Sequence, residues 1–85
     1  MKYIELKTYP KYFQAILDGV KTFELRKNDR DFEVGDIVVL KEFDNIKYLG
    51  REVTVKIKYI LQGGYFGLEE GYCIFSFEKI SKEAS

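Results

Sequence analysis

Hydrophobic and polar residues alternate with a period of two along most of this chain, which is the pattern of β-strands that bury one face. The alternation begins at Ile4 and Leu6, which lie between polar neighbours. It is clearest in the segment 52–61, whose inward-facing residues are predicted to be Val53, Val55, Ile57 and Tyr59. Five strands are predicted in all, over residues 2–7, 22–26, 36–43, 52–61 and 72–79.

One segment has the period of a helix instead. Apolar residues recur three and four positions apart in a single stripe formed by Tyr9, Tyr12, Phe13, Ile16, Leu17 and Val20. Thr8 is placed to cap this helix, and Pro10 suits its first turn. Gly19 is suited to end the helix in a left-handed conformation. The pattern therefore predicts a helix from Pro10 to Asp18.

Five strands, one early helix and no regular alternation of strand with helix indicate an α+β, mostly β fold. We predict one domain over residues 1–80, a small and mostly antiparallel β-barrel of about five to six strands with the N-terminal helix packed on it. Closing the sheet would remove exposed strand edges. Residues 44–50 are predicted to form a hairpin loop and residues 62–71, with four glycines, a mobile loop. Residues 81–85 are expected to fray.

Composition narrows the possible chemistry. The chain has no histidine, which excludes a histidine general base and histidine zinc ligands, so neither a metal nor a cofactor is expected. Cys73 is the single cysteine; we expect it in the core beside Phe75 and Phe77, in a protein of the reducing cytoplasm. The longest apolar run is four residues, and the N-terminus lacks the apolar stretch of a signal peptide, so no membrane partner is expected.

Charge is balanced over the whole chain, with 14 lysine plus arginine and 14 aspartate plus glutamate residues. No global basic field attracts nucleic acid, but a local basic patch remains compatible with this balance. Polar chemistry is concentrated between Gly19 and Arg30, where Glu24 and Arg26 share one face of a strand. The candidate ligand-binding residues are Lys21, Glu24, Arg26, Lys27, Asn28, Arg30 and, from the glycine-rich loop, Tyr65.

Each candidate also has a purely structural interpretation. Glu24 and Arg26 match an ordinary ion pair on one strand face, and residues 27–31 match a solvated charged turn. Tyr65 is compatible with stacking on a base, although aromatic residues in such a loop more often cover the end of a small barrel. These interpretations stay open at the level of the sequence.

The spacing Gly19-x-Lys21-x-x-Glu24-x-Arg26 resembles the G-x-K-x-x-E-x-R signature of ASCH domains, a branch of the PUA-like superfamily. The resemblance extends over nearly the whole chain, through P-x-Y-F-x-A-I-L-D-G-x-K-T-F-E-L-R-K-N-D-R-D-F-x-V-G-D, G-R-E-V-T-V, Y-I-L and E-G-Y. Short ASCH-like proteins of bacteria and their phages are similar in these segments. Ile4 stands where such relatives often carry a histidine, so any role of that histidine is absent here.

The resemblance implies a PUA-like β-barrel with a cleft between helix and barrel that binds a nucleic acid, RNA in particular, or a nucleotide. In such a cleft Lys21 and Arg26 would hold a phosphate or a base edge. Glu24 would orient Arg26 or accept hydrogen bonds from an exocyclic amine.

Two further functions remain open. Some ASCH proteins that this chain resembles are amidohydrolases that remove an acyl group from modified cytidine, using a K-x-x-T motif and a distant glutamate. Lys21 falls on the lysine position and Glu24 on the threonine position, which makes them the candidate catalytic pair, with Glu69 or Glu70 as the distant glutamate. A carboxylate can activate water, but it cannot become an alkoxide nucleophile. The other alternative is a protein-interaction module of a phage or its host. The oligomeric state is not predicted.

Overall fold

A computed structural model describes residues 1–80 of the chain and contains one short helix and five strands. In chain order these elements are β1 (Tyr3–Thr8), α1 (Pro10–Leu17), β2 (Phe23–Lys27), β3 (Ile37–Phe43), β4 (Tyr48–Gln62) and β5 (Tyr72–Lys79). The prediction of a mostly β fold with a single early helix is confirmed. The predicted tail of residues 81–85 lies outside the described part of the chain. Within residues 1–80, no helix has the length and apolar character needed to cross a membrane.

The five strands form one curled sheet, a half-barrel, in the order β1-β3-β4-β5-β2. β1 pairs with β3 in parallel, and the other neighbouring strands pair antiparallel. β1 and β2 are therefore the two edge strands. The sequence analysis predicts a closed barrel, but backbone pairing does not close this sheet. Side chains bridge the gap between these two edges, which we call the seam.

The core fills the concave side of the sheet and is covered by α1. Phe13 and Ile16 of the helix are at most 1% exposed, whereas Tyr12 and Val20 of the predicted apolar stripe are exposed. The helix ends as predicted, with Gly19 at a φ of +80°. The predicted cap is wrong: Tyr9 is the N-cap residue and makes no side-chain cap bond. Thr8 continues β1 and is buried, because the strand runs directly into the helix.

An ion pair between Arg51 and the buried carboxylate of Glu42 helps to fasten α1 to the sheet. Glu42 of β3 is 5% exposed and accepts two hydrogen bonds from Arg51, from Nε at 2.9 Å and from Nη2 at 3.1 Å. The hydrogen bonds that Arg51 donates to Glu42 raise the pKa of the Arg51 guanidinium. The same guanidinium lies 5.1 Å from the centre of the Phe13 ring, which holds the helix over β3 and β4.

β4 departs from regular alternation at one position. Val53, Val55 and Ile57 are buried as predicted, but the prediction for Tyr59 is wrong, since its side chain is 65% exposed. Ile57 pairs with Phe77 of β5, and Tyr59 already pairs with Ser76, so β4 advances two residues while β5 advances one. This bulge inverts the alternation and turns Tyr59 outward.

The loop between β3 and β4 is shorter than the predicted 44–50, because β4 already begins at Tyr48. The Asp44 carboxylate closes it by accepting hydrogen bonds from the backbone N–H groups of Ile46 and Lys47, both at 2.9 Å. Hydrogen bonds from the backbone N–H groups of Lys47 and Ile46 lower the pKa of Asp44.

Cys73 lies in the core as predicted, and its burial raises the pKa of the thiol.

Asp36, fully buried, joins the turn before β3 to the start of β1. Its carboxylate accepts hydrogen bonds from the backbone N–H groups of Lys2 and Glu33, each at 2.9 Å, and lies 3.2 Å from the Lys2 ammonium. Burial by itself raises the pKa of Asp36, but these hydrogen bonds and the Lys2 charge outweigh it and hold the pKa below its ordinary value. The contribution of Asp36 to stability is therefore complete above its unfolded pKa and is lost as the pH falls through the folded value.

Candidate functional site

The carboxylate of Glu24 lies at the centre of the G-x-K-x-x-E-x-R motif, and the residue is only 5% exposed. Its Oε2 accepts a hydrogen bond from Lys21 Nζ at 3.0 Å, and its Oε1 accepts one from Arg26 Nε at 3.1 Å. Each carboxylate oxygen is thus paired with one cation. On β2 the polar side therefore faces the interior, while Phe23 and Leu25, 46% and 54% exposed, face out.

Local backbone geometry explains why the motif needs its spacing. Gly19 takes a positive φ at the end of α1, and the N–H groups of Val20 and Lys21 both return to the carbonyl of Ala15 at 3.1 Å. This turn brings Lys21 to the start of β2, where its ammonium also donates to the Phe23 carbonyl at 2.7 Å. Arg26 is two residues after Glu24 on the same strand and therefore points the same way.

Arg26 also bridges the seam. Its Nη2 donates to the backbone carbonyl of Lys7 on β1 at 2.7 Å and lies 3.5 Å from Thr8 Oγ1. Arg30 repeats this contact two residues earlier on β1, since its Nη1 donates to the carbonyl of Glu5 at 3.3 Å. Two guanidinium groups thus donate hydrogen bonds to the carbonyls of Glu5 and Lys7, on the edge of β1 that is open to pairing with another strand.

A groove follows the seam on both sides of Arg26, and we call it the seam groove. Its basic end, a cavity of about 510 Å³, is lined by Glu5, Leu6, Lys7, Arg26, Arg30, Lys41 and Tyr48. Next to it lies a cavity of about 330 Å³ lined by Lys7, Thr8, Tyr9, Arg26, Phe43 and Asn45. Its aromatic end, about 370 Å³, is lined by Tyr12, Lys21, Phe23, Glu24 and Leu25. A smaller cavity, lined in part by Arg26, Tyr12 and Glu24, connects the two ends.

The basic end contains two lysines that the motif does not include. Lys7 of β1 and Lys41 of β3 are direct partners in the parallel register. Like charges in adjacent cross-strand positions repel each other. Aromatic rings lie beneath both ammonium groups, Phe43 at 4.5 Å from Lys7 Nζ and Tyr48 at 5.8 Å from Lys41 Nζ. Lys7 and Lys41 come together because β1 pairs with β3. The sequence does not indicate which strands pair, so sequence analysis could not predict this contact.

The structure brings together four of the seven candidate ligand-binding residues, namely Lys21, Glu24, Arg26 and Arg30. The other three do not line the seam groove. Lys27 is exposed on the outer side of β2, opposite Tyr72 of β5. Asn28 accepts from the backbone N–H of Phe32 at 3.1 Å and donates to Gln62 at 3.3 Å, which shapes the charged corner. Tyr65 is 70% exposed on the loop between β4 and β5.

The proximity of Lys21 and Glu24 is also the geometry of a candidate acid–base pair. A water molecule awaiting activation would have to compete for carboxylate oxygens that two cations already occupy at 3.0 and 3.1 Å. Glu69 and Glu70, the candidates for a distant glutamate, are both exposed on the loop that also carries Tyr65. The contacts of Glu24 therefore correspond to a clamp that positions Lys21 and Arg26.

Comparison with known proteins places the chain in a family. A protein of Escherichia phage P2, described as "Uncharacterized 12.9 kDa protein in GpA 3'region", is 42% identical to this chain over 53 residues. The match covers 62% of this chain and 49% of the phage protein, so the chain spans about half the length of that relative. A family model described as "Domain of unknown function (DUF3850)" matches residues 3–77, nearly all of the described fold. The chain therefore belongs to the DUF3850 family.

Proposed function

We propose that this protein is a PUA-like, ASCH-type module that binds a nucleic acid, RNA in particular, or a nucleotide in the seam groove. The observation that carries the proposal is the lining of the basic end, where, among the described residues, four cationic side chains surround a cavity that only one carboxylate, that of Glu5, lines. Arg26 and Arg30 are also paired with Glu24 and Asp29, at 3.1 and 3.9 Å, but these two carboxylates do not line that cavity. Lys7 and Lys41 are register partners there, and the Lys41 ammonium lies 3.3 Å from the Glu5 carboxylate. A bound phosphate would reduce the remaining repulsion between the two lysines. The chain as a whole carries no net charge, so this concentration is local.

Arg26 supplies the recognition geometry. Within the described residues its hydrogen bonds are made by Nε and Nη2, which leaves the two N–H donors of Nη1 for a ligand. Glu24 on one side and the Lys7 carbonyl on the other fix the plane of the guanidinium, so Nη1 presents its N–H donors to a phosphate in a fixed direction. The buried, reduced thiol of Cys73 is in keeping with action in the cytoplasm.

We expect the double variant Arg30→Ala/Lys41→Ala to bind a short single-stranded RNA more weakly and with less dependence on salt. Arg30 and Lys41 are suitable because their side chains are 48% and 31% exposed. In the part of the chain that the structure describes, Arg30 donates only one hydrogen bond of 3.3 Å across the seam, whereas Arg26 donates the shorter bond of 2.7 Å there and also holds Glu24. Two lost phosphate contacts should reduce the slope of log affinity against log salt by about 1.4. Fluorescence anisotropy of a labelled RNA, titrated at several salt concentrations, measures both quantities.

The matched control is Lys56→Ala/Lys58→Ala, which removes the same charge from exposed positions of β4 outside the seam groove. Its salt slope should equal that of the unmodified protein. Equal effects of the two double variants would mean that binding is general electrostatic attraction. Failure of the unmodified protein to bind RNA or nucleotide at low salt would overturn the proposal.

A further inference from the structure

The two ends of the seam groove differ in chemistry. The aromatic end is bounded by Tyr12 of α1 and by Phe23 and Leu25 of β2, all of them roughly half exposed. Single exposed apolar residues are common on protein surfaces, but here three of them converge on one cavity of about 370 Å³. An apolar cavity with a few convergent polar groups is the usual form of a small-ligand site.

Lys21 supplies the convergent polar group. Its Nζ lies 5.7 Å from the centre of the Tyr12 ring and 5.0 Å from the centre of the Phe23 ring. Within residues 1–80, two of its three N–H donors are used, by the Phe23 carbonyl and by Glu24. The third donor is left for an acceptor in the cavity. Two aromatic faces beside one hydrogen-bond donor match a flat heterocycle that carries a carbonyl oxygen.

From these contacts we infer that the aromatic end holds one unpaired nucleobase, so that the ligand is single-stranded; this inference rests on the nucleic-acid function proposed above. Phosphates lie at the basic end on Arg30, Lys7 and Lys41, and the chain of the ligand passes Arg26. The base then packs against Phe23 and Tyr12 and accepts a hydrogen bond from Lys21. A duplex does not satisfy this arrangement, because its bases are already paired and stacked.

The test compares three labelled ligands of equal length: a mixed-sequence single-stranded RNA, the same RNA as a duplex, and an abasic ribose–phosphate oligomer. The single strand should bind the unmodified protein roughly 5- to 140-fold more tightly than the abasic oligomer, which is the range expected for stacking of one base. Phe23→Ala should remove this advantage and leave the affinity for the abasic oligomer unchanged. Tyr59→Ala, which removes an exposed ring outside the groove, should change neither affinity.

The outcomes distinguish a failure of the inferred base site from a failure of the proposed function. Equal affinity of the unmodified protein for the single strand and the abasic oligomer would overturn the base site while leaving phosphate binding in place. Equal affinity for the single strand and the duplex would overturn it as well. A Phe23→Ala variant that loses affinity for the RNA and the abasic oligomer alike would show that the ring supports the fold and does not contact a base. Absence of binding to all three ligands and to a free nucleotide would overturn the proposed function itself.

Discussion

Replacing Glu24 with glutamine should lower the free energy of unfolding by about 3 kcal/mol. The variant keeps the shape of the side chain but leaves Lys21 and Arg26, with side chains 18% and 25% exposed, facing a neutral amide. Removing one partner of a buried ion pair is costly because the remaining charges have lost their hydration without compensation. Urea denaturation followed by circular dichroism measures the loss, which is a large part of the stability of a domain of this size.

Glu78→Gln is the matched control. Glu78 lies on β5 with a side chain 53% exposed, and its carboxylate is 3.8 Å from the Lys58 ammonium. Exposed pairs of this kind contribute about 0–1 kcal/mol, so this variant should be nearly as stable as the unmodified protein. A Glu24→Gln protein as stable as Glu78→Gln would contradict the clamp, and it would free Glu24 for a chemical role.

Phe13→Ala should cost roughly 3–5 kcal/mol and is the substitution most damaging to the fold. Phe13 is completely buried between α1 and the sheet, and its ring also lies under the Arg51 guanidinium. The change leaves a large cavity and removes the surface on which that guanidinium packs. The free energy of unfolding, obtained from the same urea titration, gives the size of the loss.

Tyr59→Ala provides the comparison, because it deletes an aromatic ring that the bulge turns toward solvent. Loss of a ring that is 65% exposed should cost less than about 1 kcal/mol. A similar loss in both variants would mean that Tyr59 packs in the core, and the bulge assigned to β4 would then be wrong. A small loss in Phe13→Ala would place the helix away from the sheet.

Local patterns predicted the elements that depend on local interactions. The helical stripe and Gly19 placed the end of α1 within one residue, since a glycine at positive φ is a local stop signal. β5 was predicted with its observed bounds, because Cys73, Phe75 and Phe77 alternate without interruption. Such features require no knowledge of which strand lies beside which.

Errors occurred where a tertiary contact decides the outcome. Tyr59 fits the alternation of β4, but the pairing of β4 with β5 inserts a bulge before it, and no turn residue announces this in the sequence. Thr8 is a good capping residue, yet β1 runs on through it and buries it. The open edges of the sheet also follow from strand order, which periodicity does not encode.

The candidate site shows the same division. The Lys21, Glu24 and Arg26 cluster was readable from its spacing because it lies within one turn and one strand. The basic end was not readable, since Lys7 and Lys41 are 34 residues apart and meet only through the parallel pairing of β1 with β3. The sequence also did not show which face of β2 is buried. A glutamate is usually exposed, and only its contacts with two cations explain why Glu24 is buried.

The central claim, that the seam groove is the nucleic-acid site, is tested most directly by mapping a bound RNA on the amide resonances of the protein. A short single-stranded RNA is titrated into isotopically labelled protein, and the chemical-shift change of each backbone amide is measured. We predict the largest changes at five residues that line the seam groove, Lys7, Thr8, Arg26, Arg30 and Lys41. Little change is expected at Lys56 and Tyr59, which are exposed on β4 outside the groove. Changes spread evenly over the surface, or concentrated around Lys56 and Tyr59, would contradict the claim.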